Sequence, residues 1–167
     1  IMERRLEISN QIQTHILNHL INDEEYCRRV IPFLKKEYFE NEHKVVFDLI
    51  VAFVTQHNKI PSGKILDLEL KKVSAPDILL TNSQELIDNL KEKSDIDIEY
   101  LIVESEKWCK ERAVYNAIME SIQIIDGKDQ ERGDGAIPDI LSNALGVSFD
   151  PNIGHDYIDN SNDRFTF

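Results

Sequence analysis

The apolar residues in the first part of the chain recur at helical spacing. Over residues 9–21 they fall on one face of a helix, at Ile12, Ile16, Leu17, Leu20 and Ile21. Asp23 has the side chain of a helix N-cap, so we expect a second helix after it. Pro32 limits the length of that helix, because a proline inside a helix removes one backbone hydrogen bond. Residues 33–39 then predict a tight aromatic corner.

The middle of the chain predicts three more helices. We expect Asn41 to cap a helix over 42–57, which is apolar on nearly every side and is therefore predicted to be central and buried. Ser62 is the expected cap of the next helix. Thr81 and Gln84 have the spacing of a capping box and predict the start of a helix that continues through Leu90.

The strongest pattern lies further along. Residues 98–126 contain neither proline nor glycine and predict a rod of roughly 40 Å. One stripe along it advances in alternating steps of four and three, the spacing of a coiled-coil seam. We predict that this stripe is an oligomer interface, formed by Leu101, Trp108, Arg112, Tyr115, Met119 and Ile122, with Ser105 between the first two.

A shorter helix is expected after this rod. Gly127 is predicted to end the rod, and 127–135 is a polar loop. Pro138 suits the first turn of a helix over Pro138–Leu145, and Gly146 suits its exit. The two helices predict a lopsided hairpin, which cannot bury both of its faces against itself. The predicted fold is therefore all-α: a compact helical head over 1–95, a helical hairpin over 96–146 and a linker over 147–167.

Charge and composition narrow the possible functions. The chain has 31 acidic and 19 basic residues, a formal net charge of −12, which disfavours nucleic acid as a direct partner. Its longest apolar run, 45–54, is too short to cross a bilayer and contains Asp48. Cys27 and Cys109 do not make a disulfide framework. With no secretory signal in view, we expect an intracellular protein without a membrane partner.

Nucleotide chemistry is not expected in this chain. A P-loop needs a glycine-rich turn followed by Gly-Lys-Ser or Gly-Lys-Thr. The pairs Gly63-Lys64 and Gly127-Lys128 are followed by neither serine nor threonine. We therefore predict no catalytic residues and no cofactor site within these 167 residues.

Two groups of residues have some of the features of a metal site. His15 and His19 are four apart on a helix, and Asp23 lies one turn further on. An EF-hand starting at Asp159 would place Arg164 where a glycine is required, and the chain ends before its last ligand. We interpret the histidines as core-edge or surface residues, and we interpret the acidic tail as a solvated linker or a partner contact: Asp150, His155, Asp156, Asp159 and Asp163.

Other residues leave two interpretations open. Arg112 either fixes the register of the seam or extends to its edge and pairs with a glutamate. Trp108 is either the anchor of that seam or an ordinary core residue. One local basic cluster is either a solvated face or a docking patch for an acidic partner: Arg28, Arg29, Lys35 and Lys36.

Six strings carry a resemblance to a known family. In order along the chain they are ILNHLI at 16–21, FLKKEYF at 33–39, HNKIPS at 57–62, ERAVYNA at 111–117, GAIPDI at 135–140 and SFDPNIGHDYID at 148–159. Together they resemble the N-terminal portion of the replicative helicase of T-even-type bacteriophages, a DnaB-type hexameric helicase. The resemblance covers nearly the whole chain.

This resemblance implies a function in DNA replication. In that family the helical head and hairpin form a collar, hairpins pair, and dimers assemble into a hexameric ring stacked on ATPase domains. The ring moves 5′ to 3′ on single-stranded DNA, and the collar docks primase and the helicase-loading protein. ATP, magnesium and DNA would bind the motor domain, which these residues do not include. The location implied is the cytoplasm of a phage-infected bacterium.

The tail has a predicted role of its own. GHDYID at 154–159 matches the start of the family's linker helix, which docks on a neighbouring motor domain. Tyr157, Ile158 and Phe165 are the expected anchors. Because the chain ends within this linker, in DRFTF, we expect it to be one part of a longer protein.

Two other readings of the sequence remain. One is a stand-alone acidic helical adaptor, or an inhibitor that presents negative charge to a DNA-binding protein. The other is a small helical enzyme that uses the histidine pair or the tail aspartates.

Overall fold

The computed structural model describes residues 2–150, of which the side chain of Met2 is excepted, and this part of the chain is all-α. Seven α-helices follow one another: α1 (Met2–Asn22), α2 (Glu24–Val30), α3 (Asn41–His57), α4 (Gly63–Leu70), α5 (Asp77–Leu90), α6 (Ile98–Ile125) and α7 (Ile137–Leu145). Three short 3₁₀ turns lie between them, at Ile31–Phe33, Lys36–Tyr38 and Asp134–Ala136. The predicted fold class is confirmed.

The chain divides into two compact units, Ile1–Trp108 and Cys109–Phe167. The first unit contains α1 to α5 and the N-terminal part of α6, so it extends past residue 95. We keep the name head for this first unit. The helical hairpin over 96–146 and the domain boundaries derived from the sequence stay predictions.

The core of the head is built around α3, which packs against α1, α4 and α5. Its buried residues include Val46, Phe47, Ile50 and Phe53, at intervals of three or four. Asp48 faces solvent between them. The prediction that α3 is central is confirmed, although its apolar residues on the other faces are only half-buried.

Two of the predicted helix caps are confirmed. The side chain of Asp23 accepts a hydrogen bond from the backbone N–H of Tyr26, 3.1 Å away. Ser62 accepts from the N–H of Ile65 at 3.2 Å. In both cases the side chain satisfies a donor that the first turn of a helix leaves unpaired.

Two other predicted caps are wrong. Asn41 lies inside α3 with φ of 52°, and Glu40 precedes it as the N-cap without a side-chain hydrogen bond. The helix containing Thr81 and Gln84 begins earlier, at Asp77 after Pro76. Gln84 instead donates to the carboxylate of Asp67 at 2.7 Å. A proline just before the first turn, together with an acidic first residue, provides this earlier start.

Polar side chains of α1 bind the backbone of the segment that leads into α6. Asn22 donates to the carbonyl of Leu90 at 2.8 Å. Asn18 donates to the carbonyl of Glu92 at 2.8 Å and accepts from the N–H of Ser94 at 2.9 Å. These bonds satisfy main-chain groups that no helix pairs. The polar face of α1 therefore holds residues 90–94 on the head.

The second unit begins within α6 and includes α7. Gly127 follows α6 with φ of 74°, the left-handed conformation that suits a helix C-terminus. In the following loop, Arg132 bonds Asp129 at 2.7 Å and pairs with Glu120 of α6. Pro138 lies in the first turn of α7, and Gly146 follows its end. The predicted ends of both helices are thus confirmed to within one residue.

Candidate interaction surface on the long helix

The first part of α6 belongs to the core of the head. Leu101 is 1% exposed and Trp108 is 4% exposed. The indole Nε1 of Trp108 donates to Ser9 Oγ at 3.1 Å, and its ring lies 4.9 Å from that of Phe39. Leu101 and Trp108 are therefore core residues, which leaves little of either side chain available to another chain. Their assignment to an oligomer interface stays untested.

Ser105, between these two residues, is buried and fully bonded. Its hydroxyl lies 2.7 Å from the hydroxyl of Tyr26 and donates to the carbonyl of Leu101 at 2.6 Å. A buried hydroxyl without partners would destabilise the fold. The first half of the predicted seam therefore packs and orients α6 within the head.

The second part of α6, in the second unit, exposes large apolar side chains. Tyr115, Met119 and Ile122 from the predicted seam are 53%, 41% and 41% exposed. Ile118 and Ile125 lie beside them, at 46% and 66%. We call these five residues the exposed apolar face. Their spacing of three or four residues places them on one side of the helix.

Small side chains are buried on another side of the same helix. They succeed one another at intervals of four: Cys109, Ala113, Ala117 and Ser121. Four residues turn an α-helix by more than one full turn, so this buried line moves round the axis as it advances. A seam extrapolated from Leu101 and Trp108 therefore leaves the buried side in the second half. The alanines and serine were the signal in the sequence, and Ile118 and Ile125 were missed because the seam was extended at fixed spacing.

Arg112 lies at the edge of the exposed apolar face. Its guanidinium carbon is 4.9 Å from the centre of the Tyr115 ring, within the range of a cation–π contact. This contact holds the Tyr115 ring against the helix. Whether Arg112 also fixes the register between two chains stays a prediction.

His15, His19 and Asp23 have separate partners. The ring nitrogens of His19 lie 3.3 Å from the carbonyl oxygen of His15 and 3.2 Å from that of Ile96. His15 faces Ser94, and burial together with nearby His19 lowers its pKa. Asp23 caps α2. Within residues 2–150, no three or more His, Cys, Asp or Glu side chains are grouped in a way that could hold a metal ion.

The predicted basic cluster does not act as one unit. Arg29 binds both carboxylate oxygens of Glu99, at 2.7 and 3.2 Å, and also contacts Glu25. The hydrogen bond from Arg29 lowers the pKa of Glu99. Lys35 and Lys36 are exposed. The choice between a solvated face and a docking patch therefore concerns the lysines more than Arg29.

Both cysteines are buried and reduced. Burial, and to a smaller extent Glu24, raises the pKa of Cys27 to about 11, which makes its thiol a poor nucleophile. Among the described helices, none combines the length and apolar character that a membrane crossing requires. The predicted linker anchors Tyr157, Ile158 and Phe165 lie outside the described residues, as do His155, Asp156, Asp159 and Asp163.

Comparison with known proteins confirms the resemblance that the sequence predicted. The chain is 34% identical over 159 residues to a DnaB-like replicative helicase of Enterobacteria phage T4. The match covers 90% of this chain and 33% of that helicase, so this chain spans about a third of its relative's length. No protein-family model matches the chain. The shared region is therefore one part of a DnaB-like replicative helicase.

Proposed function

We propose that this chain is the N-terminal assembly and protein-interaction collar of a replicative 5′–3′ DNA helicase. The single observation that carries the proposal is the match to part of a DnaB-like replicative helicase over 90% of the chain. The exposed apolar face on α6 supplies a surface for assembly. Under this proposal the collar promotes ring formation, from dimer to hexamer, and docks primase and the helicase-loading protein.

The physical argument for self-association rests on the exposed apolar face. Five large apolar side chains occupy one side of α6 over residues 115–125, about 15 Å of helix. Contiguous apolar patches of this kind on a soluble protein mark interaction sites. Burying each of these side chains would contribute up to about 1.5–3 kcal/mol. Their spacing suits pairing with a second helix of the same kind.

The remaining activities are assigned to a motor domain elsewhere in the protein. ATP, magnesium and single-stranded DNA would bind there. Residues 147–167 would be the linker towards it, with Tyr157, Ile158 and Phe165 as docking anchors. The chain itself would then take part in no nucleotide chemistry.

Light scattering across a concentration series tests the proposed assembly surface. We expect dimers or larger species at high concentration, and a shift towards monomer in a Met119→Asp/Ile122→Asp variant. Leu68→Asp/Ile78→Asp is the matched control, because Leu68 and Ile78 are 61% and 69% exposed on α4 and α5 of the head. The control should associate like the wild-type chain.

Two results would contradict the proposal. One is a wild-type chain that stays monomeric at hundreds of micromolar, and the other is equal loss of association in the control. Trp108→Asp is unsuitable as a test, because it places a charge in the core of the head. It should reduce the free energy of unfolding by several kcal/mol (on the order of 3–5), which circular dichroism during denaturation would detect.

A further inference from the structure

A groove on the head lies between α3 and the turns that follow α2. Its volume is about 370 Å³. One wall comes from the aromatic corner and the other from α3, with all the lining residues in the first unit: Ile31, Leu34, Lys36, Phe47, Asp48, Val51, Val54 and Thr55. Neither the assembly surface nor the proposed linker uses it.

The floor of the groove is apolar and extends along α3. Phe47 and Leu34 are buried beneath it, while Val51 and Val54 are half-buried. From Phe47 to Thr55 the α3 wall is about 12 Å long, which corresponds to two turns of a helix. A floor of this length suits the apolar side chains of a short helix, spaced three or four residues apart.

Charge distinguishes the two walls. Lys36 lines the wall opposite α3, Lys35 precedes it, and both are exposed. Within residues 2–150 the ion pairs of this chain involve neither lysine, whereas nearby Arg29 is held by Glu99. Asp48 is the carboxylate on the α3 wall. Two adjacent cations beside an apolar floor, on a chain of net charge −12, complement an acidic partner.

We propose that this groove binds a short acidic amphipathic helix of a partner protein. The proposal deepens the docking part of the proposed function and rests on it. Apolar residues of the partner helix would occupy the floor between Leu34 and Val51, and its carboxylates would face Lys35 and Lys36. Nucleic acid fits less well, because a phosphate backbone gains nothing from an apolar floor.

Fluorescence anisotropy with a designed peptide tests this proposal. The probe is a fluorescein-labelled helical peptide of about four turns, with leucines at helical spacing and glutamates on the other positions. A peptide of the same pattern with lysines replacing the glutamates controls for charge. We expect the 167-residue chain to bind the acidic peptide and to bind the basic peptide much more weakly.

Two pairs of variants locate the binding. Lys35→Glu/Lys36→Glu should weaken acidic-peptide binding about tenfold, with a smaller effect at high salt. Lys64→Glu/Lys71→Glu changes the net charge equally at exposed positions of α4 and its C-terminal end, and should have at most a small effect. Thr55→Trp should fill the groove and weaken binding, whereas Gln56→Trp, at the next exposed position, should not.

Several results would overturn the proposal. They are no acidic-peptide binding up to millimolar concentration, equal binding of the basic peptide, or equal losses in the control variants. Tight binding of a labelled oligo-dT that needs Lys35 and Lys36 would identify a phosphate site instead. Loss of self-association in Thr55→Trp would assign the groove to a second copy of the chain. Because α6 carries the assembly surface, failure here would leave the light-scattering test of the proposed function unaffected.

Discussion

His43 shows how the position of one side chain can make the stability of the head depend on pH. It lies in the first turns of α3, buried, with its Nε2 2.9 Å from the hydroxyl of Thr14. Burial lowers the pKa of His43, and the neighbouring Glu42 and Glu40 only partly oppose this effect. The folded head therefore favours the neutral imidazole.

The sign of the resulting pH dependence follows from linkage. Between the lowered pKa of folded His43 and its ordinary value of about 6.5, the unfolded chain binds more protons. The stabilisation is thus fully present above pH 6.5 or so and is lost as the pH falls through that window. We expect the free energy of unfolding to decrease from about pH 7 to pH 5.

Urea denaturation at several pH values would measure this effect. His43→Gln should flatten the pH dependence in that window, because glutamine does not titrate. His57→Gln, at the exposed end of the same helix, should leave the slope as it is in the wild-type chain. Equal slopes in all three proteins would show that His43 does not contribute to the pH dependence.

At the scale of elements, the end of α6 depends on one backbone conformation. Gly127 has φ of 74°, which costs a residue with a Cβ about 1–2 kcal/mol. Gly133, in the loop that follows, has φ of −102° and open space where a Cβ would be. The two glycines therefore have different structural roles.

Substitution of each glycine separates these roles. Gly127→Ala should lower the free energy of unfolding of the second unit by about 1 kcal/mol. Gly133→Ala should leave it unchanged or raise it slightly, because alanine restricts the unfolded chain. Thermal denaturation followed by circular dichroism would measure both. A Gly127→Ala variant as stable as the wild type would mean that α6 ends equally well in another conformation.

At the scale of the whole molecule, net charge sets the response to nucleic acid. With a formal charge of −12, most of the surface should repel phosphates. We expect this chain to bind single-stranded DNA with a dissociation constant weaker than about 100 µM at near-physiological salt. Fluorescence anisotropy with labelled oligo-dT measures this, and tighter binding would require a local basic surface that outweighs the total charge.

The sequence by itself determined the type of the elements and several of their ends. Helical periodicity is a local property, and so is a cap such as Asp23 or Ser62, whose side chain bonds to an N–H three residues away. The ends of α6 and α7 were predictable for the same reason. The resemblance to a replicative helicase was also carried by short strings, and comparison confirmed it.

Only the tertiary structure decided which side of each helix is buried. Along α6, apolar residues occur on several sides, so periodicity alone could not show that Trp108 packs on Phe39 while Tyr115 and Ile122 face outwards. The bonds from Asn18 to residues 92 and 94 join segments more than seventy positions apart. Burial depends on what surrounds a helix, and those neighbours come from distant parts of the chain.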